Sequence, residues 1–530
     1  MKIKNKKLIK NLILSAAAFF AAVSLGIVIY YIAFPSAAVL HADCTDTILW
    51  ANASVESKSL FNSDFGYAAM LPFGGTTVMI PFVAIFGYSL AAHQAGMIAF
   101  TLLFALAAFL LCRCLEFDYT FSFFSVGSLL LIIASSAKMR EIFYEHTIYY
   151  SICAAVIFVL LSMILKLKNK KNTTAALIIA VIFSMLSAID GMQVIVTGIF
   201  PVLFGAGAYI ILEKRKILDE ENRNVIFGIL CICAGTFFGF VALKKFTAGI
   251  SAGYAEAYST YSGMNDWVDN FLKLPKHWFE LFGVEVENGL AMFSFASIIN
   301  LIRIAAALVI ALAPAAALIT YKKLGNGAKM LTLAHFGLAG VILFGYIFGI
   351  LSAANWRLSP LICTGILVTC ALMFNLGKEL VPKRIAAGIC VLFVAMSAVS
   401  AVIIAKMPKN GEELNGRYGI THFLMDQGLH TGYATFWNSQ VITLLSDCDV
   451  RVANIDVNEN GIAPCGYQTD KKWFENREGE KYYFVLLSPD ELETLSGTAD
   501  YEKFRSLVKG AVPTEYGYTV YLFDSTEVLN

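Results

Sequence analysis

The sequence predicts an all-α polytopic membrane domain of about 11 transmembrane helices over residues 1–406, followed by a C-terminal exterior α/β domain over 407–530. Three observations carry this expectation. The 530 residues are 58% hydrophobic and only 15% charged, with a mean hydropathy of +0.67, which is too apolar for a water-soluble enzyme or a disordered chain. Apolar runs long enough to cross roughly 30 Å of hydrocarbon recur through the first three quarters of the chain. After Lys406 the charge density becomes ordinary and strand-like runs appear, Tyr482-Tyr-Phe-Val-Leu-Leu487 and Tyr518-Thr-Val-Tyr-Leu-Phe523. Lys and Arg total 40 against 39 Asp and Glu, a formal charge of +1, so a basic nucleic-acid binder is excluded.

The first run covers 11–34 behind a basic end that holds Lys2, Lys4, Lys6, Lys7 and Lys10. Its apolar part exceeds the roughly 7–15 residues of a signal-peptide core, so it reads as an uncleaved helix with a cytoplasmic N-terminus. Further spans are expected at 92–112, 119–137, 148–166, 173–189, 192–212, 225–243, 303–320, 330–351, 358–376 and 385–406. Basic clusters at 166–171, 213–216, 321–329 and 378–384 all fall on the cytoplasmic side of this scheme. The run at 76–90 is short and contains Pro81 and Gly87, so it is expected to re-enter or to lie at the outer interface. The polar loops at 35–75, 138–147 and 244–302 then face outside a plasma membrane, as does everything after the last span. In the C-terminal domain, reached through the linker 408–411, helices are expected at 432–446 and 498–510, and the segment Tyr433-Ala-Thr-Phe-Trp437 is expected to be core.

Eleven cysteines show no CxxC pair or Cys/His cluster, which argues against structural zinc. Cys448 and Cys465 lie in polar stretches and are the pair open to a disulfide in an oxidising exterior. Soluble-enzyme signatures are absent as well: there is no P-loop, GxGxxG, GxSxG or HExxH. An outer-face enzyme has no nucleotide at hand, so an activated donor must arrive on a lipid.

Ionisable groups near a membrane are costly to desolvate, so their positions carry information. Asp43 and Asp46 lie in His41-Ala-Asp-Cys-Thr-Asp46-Thr-Ile-Leu-Trp50, just beyond the first helix, where Asp46 also suits the start of a short helix. Glu141, Glu145 and His146 form a second outer cluster, in which a helical loop would put both acids on one face, while a Lys/Arg/Glu interfacial rim is the plainer account. A carboxylate from each loop could together hold a divalent ion, Mg or Mn, with Asp46 and Glu145 as tentative ligands, or activate a hydroxyl. Asp190 stands in Asp-Gly-Met-Gln193 between two apolar runs, where a capping turn is the commoner role, and Glu141, His146 and Asp190 are candidate substrate-binding residues. Arg357, in Asn355-Trp-Arg357, suits a phosphate or lipid headgroups. The loop from Tyr254 through Trp267 to His277-Trp278 is aromatic and suits a membrane surface.

This layout resembles the multi-spanning GT-C glycosyltransferases, which include protein mannosyltransferases and the aminoarabinose transferase of lipid A. The carriers are the first-loop acid in Asp46-Thr-Ile-Leu-Trp50-Ala51, the second outer-loop acid at Glu145, the late Arg357 before a span, and a C-terminal exterior domain. The chain departs from the pattern in having Asp46-Thr47 where many members have Asp-Glu, and Glu145 where Asp is frequent. The resemblance implies a GT-C-like fold and a hexosyl- or pentosyltransferase that uses a polyprenyl-phosphate sugar donor and a glycan, lipid or protein acceptor. It further implies Asp46 as catalytic base with Asp43 beside it, Glu145 as partner acid or metal ligand, and Arg357 on the donor phosphate. A flippase for lipid-linked sugars and an O-antigen-type polymerase or ligase are the rival readings. The first needs a polar path to mid-bilayer, whereas the charges here gather at helix ends. The second, as known, carries arginines in its large exterior loop, whereas 244–302 is richer in acids and aromatics.

Overall fold

A computed structural model describes the backbone of residues 2–213, 220–248, 250, 260–285, 289–350, 354–377 and 380–529, and the side chains of the same residues apart from 2–6, 220, 221 and 380–382. The basic residues 214–216 and Lys378, with Glu379 and the loop start at Tyr254, lie outside the described residues. The chain divides into two compact units. The first comprises Met1–Tyr31, Ala99–Lys245 and Tyr258–Met407, and the second comprises Ile32–Ile98, Phe246–Ala257 and Pro408–Asn530.

Among the described residues, 9 helices are long and apolar enough to cross a membrane, the first Lys7–Ala33 and the last Lys383–Ala405. Two more apolar helices complete the expected set of spans: Thr173–Ile189, and Tyr119–Ile132, which is bent by 117° from Ala137–Glu145. The bend follows from local chemistry, because Ser136 ends the turn and accepts a hydrogen bond from Met139 N at 3.1 Å, starting a new helix. The segment at 76–90 forms the shorter helix Pro72–Phe86, interrupted by Pro81 and closed at Gly87, whose φ is 71°.

In the first unit the helices approach closely through small residues, as apolar surfaces in lipid must, since lipid tails compete equally for apolar side chains. A Cβ on Gly205 would lie 2.7 Å from Ala334 N, so Phe200–Leu212 and Asn326–Phe348 pack backbone to backbone. Gly235 and Gly239 likewise press onto Val181 and Met185 of Thr173–Ile189. Leu230, Phe237 and Phe238 stay exposed, as suits a lipid-facing surface. Three of the basic clusters meet at one end of this unit: Lys329 Nζ pairs with Glu213 Oε1 at 2.7 Å, and Lys168 lies 5.8 Å from the Tyr209 ring. The helix Tyr149–Lys168 runs 20 residues, about 30 Å, from that end to the opposite one.

The second unit is built on a six-stranded mixed sheet, with β1 Thr431–Ala434, β2 Arg451–Asn458, β3 Gly461–Pro464, β4 Tyr483–Leu487, β5 Gly510–Pro513 and β6 Thr519–Phe523 in the order β3-β2-β1-β4-β6-β5. Central β1 pairs in parallel with β2 and β4, and all four of its residues are buried. Ile420, Leu424, Ile442, Val452, Phe484 and Val520 form the core. The expected helix at 432–446 is strand β1 followed by the helix Phe436–Leu445; buried Tyr433 is core, but Trp437 is 56% exposed. The second expected helix is Asp500–Leu507, after which Gly510 starts β5. Cys448 and Cys465 are both free thiols.

The first polar loop adds backbone to this sheet unit. Gln468 N donates to Gly66 O at 2.7 Å, Gly66 N to Thr469 O at 3.1 Å, and Lys471 N to Asp64 O at 3.0 Å. Gly66 is needed for the approach, because a Cβ there would stand 1.8 Å from Gly466 O.

Candidate active site

Asp46 opens the helix Asp46–Ser57, where the unpaired N–H groups and the helix dipole favour an acid. It does not serve as a side-chain cap. Its Oδ1 accepts from Gln468 Nε2 at 2.7 Å, and Gln468 Oε1 in turn accepts from Trp50 Nε1 at 2.7 Å, one turn further along the same helix. Burial holds the Asp46 carboxyl well above the usual carboxylate range; the negative charge of Asp43 adds to this and the Gln468 amide opposes it. Asp43, partly exposed in the short helix Ala42–Thr45, accepts the Asp46 backbone N–H at its carbonyl. A carboxylate in this setting gains more by taking a proton than an exposed one does, which suits a general base.

The other candidates lie in the first unit. Glu141–Glu145 forms a π-turn, closed by His146 N on Glu141 O. The two acids take different partners: Glu141 pairs with Lys138, whereas buried Glu145 accepts from the Tyr31 hydroxyl. Arg140 lies 5.3 Å from the Tyr31 ring and donates to Ala134 O at 3.0 Å. Lys138 also sits 5.0 Å from the Trp356 ring, which brings the second acid cluster beside Asn355-Trp356-Arg357, separate from it in sequence. Arg357 Nη1 donates to the Gly345 carbonyl at 3.2 Å and has no carboxylate partner among the described residues; Tyr149 and Tyr150, at the start of Tyr149–Lys168, lie within its electrostatic reach. This is the end of that helix opposite to Lys168. His146 is buried here as well. Asp190 is buried at the C-terminal cap of Thr173–Ile189, where Gly191 turns the chain with φ 96°, and Cys153 feels its charge.

Asp46 and Glu145 belong to different compact units. Among the described residues no group of three or more His, Cys, Asp or Glu side chains could hold a metal ion.

The aromatic loop is described from residue 260 onward. Its helix Met264–Leu281 exposes Met264, Val268, Phe271 and Leu272 on one face. Trp278 and His277 turn inward, bonding Ala307 O at 3.0 Å and the Tyr346 hydroxyl at 2.6 Å. Desolvation keeps His277 below the usual imidazole range. In the sheet unit a polar cavity of about 200 Å³ opens beside Trp473, but its cations are engaged: Arg451 with Glu56 at 3.1 Å, Lys472 with Asp64 at 3.2 Å.

Reading the sequence for acids and arginines missed Gln468. It stands in Cys465-Gly-Tyr-Gln-Thr-Asp470, a polar run with no motif, and its φ of 54°, unusual for a residue other than glycine, shows only in the fold.

No family model and no curated protein matches the chain. Among solved structures, it is similar to ArnT from Cupriavidus metallidurans bound to undecaprenyl phosphate, with a TM-score of 0.56 and 13% identity over 97% of this chain and 98% of that one. The archaeal oligosaccharyltransferase AglB from Archaeoglobus fulgidus, in complex with an inhibitory peptide and a dolichol-phosphate, matches at a TM-score of 0.46 and 9% identity over 97% of this chain and 74% of that one. At such identity the ArnT likeness shows the fold alone, over nearly the whole length of both chains.

Proposed function

We propose that this chain is an integral-membrane glycosyltransferase that moves a sugar from a polyprenyl-phosphate donor to an acceptor hydroxyl at the outer face of the membrane. The observation that carries the reading is Arg357: a guanidinium without a carboxylate partner among the described residues, flanked by Tyr149 and Tyr150 at the end of the bundle opposite the basic clusters. An arginine so placed presents a fork that matches phosphate oxygens. The whole-length likeness to a GT-C structure bound to undecaprenyl phosphate supports the donor class. Placing the basic clusters in the cytoplasm puts Arg357 outside, in keeping with the positive-inside rule.

In this mechanism the acceptor oxygen attacks the anomeric carbon while the bond from that carbon to the phosphate oxygen breaks. Asp46 takes the acceptor proton, with Asp43 tuning its basicity. Arg357 stabilises the charge that develops on the departing phosphate, and inversion at the anomeric carbon follows from the single displacement. Glu145, fixed by Tyr31, is assigned to shape the substrate cavity together with Glu141, His146 and Asp190.

The test is transfer from polyprenyl-phosphate sugars by purified protein in lipid. Arg357→Ala and Arg357→Lys should both weaken donor use, raising donor KM or lowering kcat/KM by about 10- to 100-fold, because lysine keeps the charge but not the bidentate geometry. Unchanged donor affinity in both variants would reduce Arg357 to a headgroup contact. Full transfer by Asp46→Asn as well would leave lipid-linked sugar flipping as the better account.

A further inference from the structure

Gln468 is fully buried, and three independent constraints hold it in one pose. Its backbone N–H is tied to Gly66 O at 2.7 Å, its carbonyl accepts from Gln440 Nε2 at 3.0 Å, and its side chain bridges Trp50 and Asp46. The bridge has a direction. An indole N–H can only donate, so Trp50 fixes the amide oxygen of Gln468 on its own side and leaves the NH2 facing Asp46. Asp46 must then accept.

We propose that Gln468 is a positioning residue for the transfer reaction: its amide, oriented by Trp50, holds the Asp46 carboxylate in one rotamer and in the proton-accepting state. The proposal rests on the reading of Asp46 as the base. It assigns to the C-terminal segment a direct part in the chemistry, although that segment supplies no catalytic acid. Trp50 and Asp46 sit one helical turn apart, so a single amide can span both only if it enters from another part of the chain. The backbone exchange between 64–66 and 468–471 supplies that entry.

The test compares pH profiles of kcat/KM for full-length protein in lipid. A hydrogen bond to a charged group changes an equilibrium by roughly 10- to 100-fold. Loss of the Gln468 donor should therefore move the acid limb up by about one to two pH units and lower activity at neutral pH by a similar factor, with recovery at high pH. Gln468→Glu keeps the shape and the acceptor for Trp50 while replacing the donor with a second carboxylate, and should shift the limb upward. Gln468→Leu combined with Trp50→Phe removes the amide together with the indole N–H it accepts from, so Trp50 is not left an unpaired donor while Asp46 loses its own, and should shift it in the same direction. Trp50→Phe alone frees the amide to flip and should give a smaller shift.

An unmoved acid limb in both Gln468 variants, or a loss uniform across pH, would overturn the positioning role. Asp46→Asn is assayed alongside. If it is inactive while the Gln468 variants keep the parent profile, only the positioning role fails; if it transfers sugar at the parent rate, the base assignment fails and the proposal with it.

Discussion

Asp46, the proposed base, is the residue at which stability and the proposed function pull apart. Its carboxyl is raised by burial, so between the ordinary carboxylate pKa and the raised one the native state holds a proton that the unfolded chain has released. In that window stability falls as pH rises, because the unfolded state binds fewer protons than the native one. Above the window the carboxylate remains a net cost, and Asp46→Asn removes it while keeping an oxygen for Gln468 to donate to. The expected outcome is a variant whose Tm at neutral pH equals or exceeds that of the parent, while transfer drops by about 10²–10⁴-fold, the usual cost of a lost general base. A variant that is both less stable and partly active would point to a capping role.

Among elements, close backbone contact decides what can be substituted. Gly205 leaves no room for a side chain against Ala334, so Gly205→Val should destabilise the pair Phe200–Leu212 and Asn326–Phe348 by about 1–3 kcal/mol, the usual cost of overpacking, read as a lower Tm in detergent. Gly66 faces an equally closed approach, but its neighbour is the carbonyl of Gly466. Gly66→Ala should part the 64–66 segment from 468–471 and release Gln468, so transfer should fall and the acid limb should move as in the Gln468 variants. Loss of stability with an unaltered pH profile would show that the contact is architectural only. The same logic accounts for the helix Met264–Leu281, whose apolar face is exposed while its Trp278 and His277 hydrogen-bond inward, an arrangement suited to a lipid interface.

For the molecule as a whole, the three basic clusters gathered at one end of the helical unit are the basis of the proposed orientation, with that end cytoplasmic. Lys168 itself is buried, so cysteine labelling belongs at exposed Lys170. With an impermeant reagent on intact cells, a cysteine at Lys471 should react and one at Lys170 should not; the reverse pattern would invert the assigned topology. Deletion of 408–530 removes Gln468 and the sheet on which 32–98 is built, so transfer should be lost outright, with acceptor preference no longer measurable. A stable truncated protein with full activity would rule out any part for this segment in the reaction.

The sequence by itself determined what depends on local chemistry: the apolar runs, whose length and composition oblige them to satisfy their own backbone in lipid, and the strand-like runs of the C-terminal unit. Each expected span coincides with a helix, and even the short run with Pro81 and Gly87 keeps its own character. The acids and the arginine at helix ends were legible as candidates for the same reason, since charged groups there stand out against hydrocarbon. Tertiary structure alone decided the partners. That Glu141 turns to Lys138 while Glu145 turns to Tyr31 depends on a π-turn with no composition signal. That residues 32–98 and 408–530 share one compact unit depends on backbone hydrogen bonds, which any sequence can make. Gln468 reaches Asp46 across most of the chain through a left-handed backbone and a glycine that admits the approach; an amide gains this role only from what the fold places on either side of it.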